Sequence, residues 1–230
     1  MISKITENAA ASVQDIPDGS TLMIGGFGSA GQPVELIDAL LDQGATDLTV
    51  VNNNAGNGTT GLAGLLAAGR VRKIICSFPR QVDSQVFDGL YQAGNLELEL
   101  VPQGTLAERI RAGGAGIAAF FTPTAFGTML AEGKETRHIN GRDFVLEDAL
   151  TADYALIKAY QGDRLGNLIY RKTARNFGPL MASAAKVAIA QVSTIVEVGE
   201  LDPEAVVSPG IYIQRVVDVG GSAALSTEGQ

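Results

Sequence analysis

The chain has no tryptophan, one cysteine and one histidine in 230 residues. A lone cysteine, Cys76, lies in an apolar run and excludes both a disulfide framework and a cysteine-built metal cluster. A lone histidine, His138, leaves zinc sites of the histidine–cysteine kind without ligands. A serine-hydrolase triad would have to use that same residue. His138 lies just before Asn140-Gly141, a two-residue turn signal, so a surface hairpin is its expected setting. No apolar run approaches the ~20 residues that cross a bilayer, and residues 1–7 lack the basic and apolar blocks of a signal peptide. Basic charge is scarce too: 17 Lys and Arg stand against 25 Asp and Glu, a net charge of −8. A nucleic-acid binder wants a basic face, and no run supplies one. These absences point to a cytoplasmic protein with no nucleic-acid, membrane or metal partner. A hydrophobic content of 46% in a chain of this length is enough for a sizeable α/β core.

A paired-carboxylate acid/base team is also missing. Glu35 and Asp38 fall on the polar face of a predicted helix, and Glu132, Glu135 and Glu147 lie among loop and hairpin residues. Glu108 follows Thr105 at capping-box spacing, with the threonine expected to cap a helix and the glutamate to reach back to its N–H. A chain without a nucleophile of its own reads as a ligand-holding half that needs a partner.

What the chain does have is glycine, 28 residues of it, concentrated first in one place. An apolar run, Leu22-Met23-Ile24, stops at the loop Gly25-Gly26-Phe27-Gly28-Ser29-Ala30-Gly31, and Pro33 opens a predicted helix. A strand feeding a glycine loop and a helix N-terminus suits phosphate, because the first helical turn leaves N–H groups free and the helix dipole favours negative charge. Glycines there let the backbone approach a ligand and reach positive φ. Gly26 to Gly31 also matches the dinucleotide fingerprint G-x-G-x-x-G. A nicotinamide site, however, wants an acid at the end of the second strand, and that strand ends in Asn52-Asn53-Asn54. Those three amides suit either a tight turn or uncharged ligand contacts. Gln103, in Pro102-Gln103-Gly104, sits between a strand and a helix, where spacing alone favours a loop side chain in solvent and also admits an NH₂ group aimed at a carbonyl oxygen that turns negative in a transition state.

Short β-rich runs at 22–24, 48–51, 72–77 and 96–101 alternate with helical patterns at 33–43, 60–68 and 84–93 and a further helix from Thr105. Glycines 44, 69 and 94 are placed to stop the first three helices. Such alternation implies a parallel sheet with right-handed crossovers, whose ligands sit outside the carboxyl ends of the strands. Residues 25–31, 52–54, 77–80 and 102–104 should therefore gather on one edge. In the second half, 137–139 and 143–146 read as a hairpin around Asn140-Gly141, and 155–160 and 168–170 flank a longer turn at 162–167. A helix is predicted over 180–185 and strands over 187–191 and 211–219. No linker divides the chain, so one domain is expected over 1–219, with a small polar tail over 220–230.

Taken together, these stretches resemble the A subunit of the family I CoA-transferases, the 3-oxoacid CoA-transferase group. The likeness runs from the glycine loop through Asn53-Asn54-Ala55-Gly56 and the long motif from Pro102 to Gly114. It continues through Phe121-Thr122-Pro123-Thr124, Glu132-Gly133-Lys134-Glu135, Gly162-Asp163-Arg164-Leu165-Gly166-Asn167 and Arg175-Asn176-Phe177. Cys76-Ser77-Phe78-Pro79-Arg80-Gln81 most resembles the 3-oxoadipate branch. The resemblance implies an open α/β fold with a mainly parallel seven-stranded sheet flanked by helices, carrying β-hairpin insertions in the second half. It implies a coenzyme A thioester as substrate, with no permanently bound cofactor, and succinyl-CoA as CoA donor to a 3-oxo acid. It also implies a B subunit, in a heterodimer or heterotetramer, that supplies the nucleophilic glutamate from a Ser-Glu-Asn-Gly type motif absent here. On this chain it assigns Gly25, Gly26, Phe27, Gly28, Ser29, Ala30 and Gly31 to CoA binding, Gln103 to an oxyanion contact, and Asn53 and Asn54 to the cleft wall. Arg175 and its basic neighbours suit either a dicarboxylate or CoA phosphates, or simply a solvated face.

Overall fold

A computed structural model describes residues 2–220. After a short helix α1 (Ala9–Val13), strands and helices alternate: β1 (Thr21–Ile24), α2 (Val34–Gln43), β2 (Leu48–Val51), α3 (Leu62–Ala67), β3 (Val71–Cys76), α4 (Gln85–Gln92), β4 (Glu97–Leu100) and α5 (Gln103–Gly114). Gly44 and Gly94 end their helices at φ 97° and 72°, left-handed values open to glycine. Three strands then leave the main sheet: β5 (Ala119–Thr122), β6 (Thr136–Ile139) and β7 (Arg142–Asp148) form an antiparallel sheet in the order β5-β7-β6. Asn140 and Gly141 make the β6–β7 turn at φ 51° and 78°, the pair of positive values that a two-residue hairpin demands.

The chain returns with β8 (Ala152–Lys158), and β9 (Gln161–Asp163) and β10 (Leu168–Ile169) follow. Last come α6 (Gly178–Ala184), β11 (Ala185–Val192), β12 (Thr194–Val196) and β13 (Arg215–Asp218). The main sheet has seven strands in the order β13-β11-β8-β1-β2-β3-β4, and every pairing in it is parallel. A third, three-stranded sheet runs β10-β9-β12.

Side-chain alternation in the strands builds a core on each face of the main sheet. Leu22 and Ile24 of β1 join Leu36, Ile37 and Leu40 of α2 and Leu62, Leu65 and Leu66 of α3 on one face. Met23, between them, points to the other face, with Leu106 and Ile110 of α5 and Met181 of α6. From β1 the strand order runs outward in both directions, through β2 on one side and β8 on the other. The loop after β1 therefore emerges where the winding reverses, the place where open α/β sheets hold ligands.

Three expectations need correction. The capping box does not form: α5 starts two residues before Thr105, because Leu106 N–H already donates to Pro102 O at 2.8 Å. Thr105 Oγ1 is buried without a partner, and Glu108 instead accepts from Arg111 Nε at 2.9 Å. The strand expected over 211–219 begins only at Arg215, since Gly210–Tyr212 makes a 3₁₀ turn. The strand expected over 155–160 ends at Lys158, and the turn at 162–167 belongs to the β9–β10 pair instead. Of the expected tail over 220–230, everything after Gly220 lies outside the described residues.

Candidate active site

The four strand-end segments do meet. Phe27 and Gly28 after β1, Asn53 and Asn54 after β2, residues Ser77, Phe78, Arg80, Gln81 and Val82 after β3, and Gln103 after β4 line one open cleft of about 760 Å³. Parallel strands deliver this without further design, because each ends on the same edge of the sheet.

A chain of amide hydrogen bonds fixes the floor. Asn53 is 1% exposed, and its Oδ1 accepts from Gln103 Nε2 at 2.8 Å and from Ser77 Oγ at 2.7 Å. Its Nδ2 donates to Asn54 Oδ1 at 3.1 Å, and Asn54 Oδ1 also accepts from Gly28 N–H at 3.0 Å. Asn54 Nδ2 completes the link by donating to Phe78 O at 3.0 Å. Asn52 plays a different part. It donates to Ile24 O at 2.6 Å and accepts from Asn54 N–H at 2.8 Å, bracing the strand end. In the triple asparagine, Asn52 makes the turn, while Asn53 and Asn54 line the cleft. Among the described residues, Gln103 keeps one side-chain N–H and its Oε1 without a partner, a donor and an acceptor at the cleft.

The glycine loop differs from the sequence expectation in its use of amides. Gly25 N–H donates to Leu156 O, Phe27 and Ala30 exchange a reciprocal pair, Gln32 N–H reaches Ser29 O and Val34 N–H reaches Gln32 O. Leu36 N–H, in the first turn of α2, donates to Gln191 Oε1 at 3.2 Å. Gln191 is fully buried, and its Nε2 donates to Glu35, which is therefore more than a polar-face residue. The helix start is taken up internally and does not present a fan of free N–H groups. Among the described residues the amides of Gly26, Ser29 and Gly31 have no protein partner, and these are the loop donors that remain for a ligand. Gly26, Gly28 and Gly31 all have positive φ, at 130°, 60° and 77°, as the sequence reading requires.

Phe27, 52% exposed, separates this cleft from a second hollow of about 560 Å³ lined by Ala30, Lys172, Thr173, Arg175 and Asn176. Asn176 Nδ2 donates to Ala30 O at 2.9 Å, which ties the basic segment to the glycine loop. Arg175 therefore stands beside the loop, outside the amide network.

Other reactive side chains stay away. Cys76 is buried at the end of β3, and burial pushes its thiol up to about 12, so it remains a protonated core residue. His138 is exposed on the β6–β7 hairpin with Nδ1 2.7 Å from Asp143 Oδ1. Among the described residues no three His, Cys, Asp or Glu side chains converge as metal ligands, and no helix is long and apolar enough to cross a membrane. Sequence reasoning marks 77–80 as a strand end on the ligand edge and 76–81 as the stretch that resembles the 3-oxoadipate branch, without assigning a site residue there. Ser77, Phe78, Arg80, Gln81 and Val82 join the site because a parallel strand necessarily aims its following residues at the carboxyl edge.

An all-parallel, doubly wound sheet with an amide-floored cleft at its winding reversal defines an open α/β chain with a candidate ligand site at the carboxyl edge of its strands. The chain belongs to the coenzyme A transferase family: the family model for coenzyme A transferase matches residues 6–219. It is 66% identical to the A subunit of the 3-oxoadipate CoA-transferase of Pseudomonas putida over 98% of each chain. It is 50% identical to the A subunit of a probable succinyl-CoA:3-ketoacid coenzyme A transferase of Bacillus subtilis, covering 94% of this chain and 90% of that one. An acyl-CoA transferase from Escherichia coli O157:H7, solved as a thioester complex with CoA, superposes with a TM-score of 0.82 at 21% identity. That superposition covers 94% of this chain and 47% of that longer one, and at such identity it speaks for the fold.

Proposed function

We propose that this chain is the A subunit of a CoA-transferase that moves CoA from succinyl-CoA to 3-oxoadipate in the cytoplasm. The observation that carries the reading is a cleft lined by four side-chain amides, from Asn53, Asn54, Gln81 and Gln103, and by no carboxylate. The cleft has oxyanion donors and no nucleophile, so it is half of an acyl-transfer site. The acceptor follows from the P. putida relative and from an Acinetobacter baylyi relative at 61% identity, both named for 3-oxoadipate and both named as A subunits.

A glutamate of the B subunit attacks the thioester carbonyl of succinyl-CoA, and the thiolate leaves to give a mixed anhydride. The thiolate then attacks the glutamyl carbonyl, succinate leaves, and a glutamyl–CoA thioester remains. The 3-oxoadipate carboxylate repeats the two steps in reverse and departs as the new thioester, which predicts ping-pong kinetics. Gln103 contributes its remaining N–H to the carbonyl oxygen that becomes negative, with Asn53 holding the amide in place. Residues 25–31 hold CoA through the open amides of Gly26, Ser29 and Gly31. Phe27, Phe78 and Val82, at 52%, 62% and 103% exposure, form an apolar rim that the B subunit covers in a heterodimer or heterotetramer.

The test is transfer from succinyl-CoA to 3-oxoadipate and to acetoacetate by this chain with and without a folded B chain. Activity in the mixture alone is expected, with 3-oxoadipate the better acceptor. Preference for acetoacetate would move the chain to the 3-ketoacid branch seen in the B. subtilis relative. No transfer in the mixture would leave a noncatalytic acyl-CoA-binding module.

A further inference from the structure

Of the residues that line the main cleft, Arg80 alone is charged. The others are the amides of Asn53, Asn54, Gln81 and Gln103, a serine hydroxyl, a glycine and the apolar Phe27, Phe78 and Val82. Amides bind a carboxylate and a thioester oxygen alike, since they carry no charge to distinguish them. A guanidinium does distinguish them, because its charge and planar fork match a carboxylate.

Arg80 is also held in a way that leaves its fork open. Its Nε donates to Asp88 Oδ1 of α4 at 2.6 Å. Among the described residues its two terminal NH₂ groups donate to no protein acceptor. One contact through Nε sets the plane of the group, and the end of the fork stays available for a bidentate partner. Arg70 and Arg215, by contrast, spend terminal donors on backbone carbonyls, Arg70 Nη1 on Gly44 O and Arg215 Nη1 on Ser12 O.

We propose that Arg80 is the acid-selecting residue of this site, pairing with the far carboxylate of a dicarboxylic acyl group whose other end reacts beside Gln103. The inference rests on the CoA-transferase reading above and names the feature of substrate that the site selects. Succinyl and 3-oxoadipyl groups both keep a free carboxylate when one end carries CoA, whereas an acetoacetyl group keeps none. Arg80 forms no covalent bond in this scheme. It positions both the donor and the acceptor acyl chains, and it favours diacids over monoacids.

The same guanidinium chemistry would serve a CoA phosphate, and the experiment separates the two. With the A and B chains assembled, kcat/KM is measured for 3-oxoadipate and for acetoacetate as acceptors. CoA is covalently held on the enzyme when either acid enters, so a lost phosphate contact would affect both acids equally. Arg80→Gln should lower kcat/KM for 3-oxoadipate by roughly 10- to 100-fold while acetoacetate stays within about twofold, the scale of hydrogen bonds to a charged group. Arg80→Lys, which keeps the charge and loses the fork, should recover part of the difference. The ratio of the two values does not depend on the fraction of folded enzyme, so poor assembly of a variant cannot imitate the result. An equal fall for both acids, or no fall, overturns the assignment. A wild-type mixture inactive with both acids overturns the transferase reading itself, and the role of Arg80 with it.

Discussion

Gln103 stands at the first position of α5 and gives one side-chain N–H to Asn53 Oδ1 at 2.8 Å. Asn53 is in turn anchored by Ser77 Oγ at 2.7 Å, so an exposed glutamine is oriented by a buried neighbour. Preorganisation of this kind matters most where charge develops, in the transition state. Gln103→Ala should lower kcat by roughly a hundredfold with little change in KM for the CoA thioester; a change confined to KM would remove the oxyanion role. Asp38, on α2, shows the opposite use of charge. Burial, aided by the nearby carboxylates of Glu35 and Asp42, pushes its carboxyl above the usual range. A raised carboxylate pKa disfavours the ionised folded state, and that penalty disappears as pH falls through the folded value. Asp38→Asn should therefore raise the melting temperature at pH 7 and leave it unchanged at pH 3, where both side chains are neutral. Equal melting temperatures at pH 7 would show that burial and repulsion at Asp38 carry no stability cost.

At the scale of elements, the glycine loop and the segment 172–176 behave as one unit. A Cβ on Gly31 would stand 2.6 Å from Ala174 O, at a φ of 77° that already disfavours a side chain. A Cβ on Gly28 would meet nothing within 4 Å, at a φ of 60°. Gly28→Ala should cost about 1–2 kcal/mol from backbone conformation alone, and Gly31→Ala about 2–5 kcal/mol once the clash is added. Denaturant unfolding measures both. If the loop holds CoA, Gly28→Ala should weaken CoA binding beyond its modest stability cost, and unchanged affinity would take the loop out of the site. The alternating first half of the fold was legible because the signals are local: apolar periodicity marks α2, and Gly44 at φ 97° marks its end. The same locality allowed the strand ends of β1 to β4 to be placed on one edge. What sequence spacing did not reveal are long-range pairings such as Met23 beside Ala155, which depend on packing across the sheet. The Thr105–Glu108 pattern misled because it ignored Pro102, whose carbonyl had already accepted the helix's first N–H. Arg80 lay in a recognised strand end, yet its role depends on Asp88, an ion pair visible only once α4 is packed.

The whole molecule is an open sheet, and an open sheet must manage its two edges. At one edge, β13 is covered by the N-terminal segment: Thr6 N–H donates to Val216 O and Val216 N–H to Lys4 O. Arg215 of β13 then reaches Asp15 beyond α1, with both guanidinium ends on the carboxylate at 2.6 Å. At the other edge, Glu99 of β4 is held by Lys73 at 2.8 Å and by Arg109 of α5 at 2.8 Å. The hydrogen bond from Arg215 lowers the pKa of Asp15. Burial would raise that of Glu99, but hydrogen bonds from Lys73 and Arg109 outweigh it and hold the carboxyl below its usual range. A lowered carboxylate pKa stabilises the fold above the unfolded value, about 4, and that contribution is lost as pH falls through the folded value. Both charged clasps sit at edges, while the central strands β1, β2 and β8 are held by apolar layers on both faces. Acid should therefore loosen the sheet from its edges inward. Native-state hydrogen exchange, corrected for intrinsic rates, should show β13 and β4 losing protection between pH 7 and the range just below 4 while β1, β2 and β8 keep theirs. Asp15→Asn combined with Glu99→Gln should reproduce the loosened edges at pH 7 and flatten the acid dependence of the melting temperature. Uniform loss of protection across all seven strands would instead mean that the sheet opens as one cooperative body and that the edge clasps do not govern its acid stability.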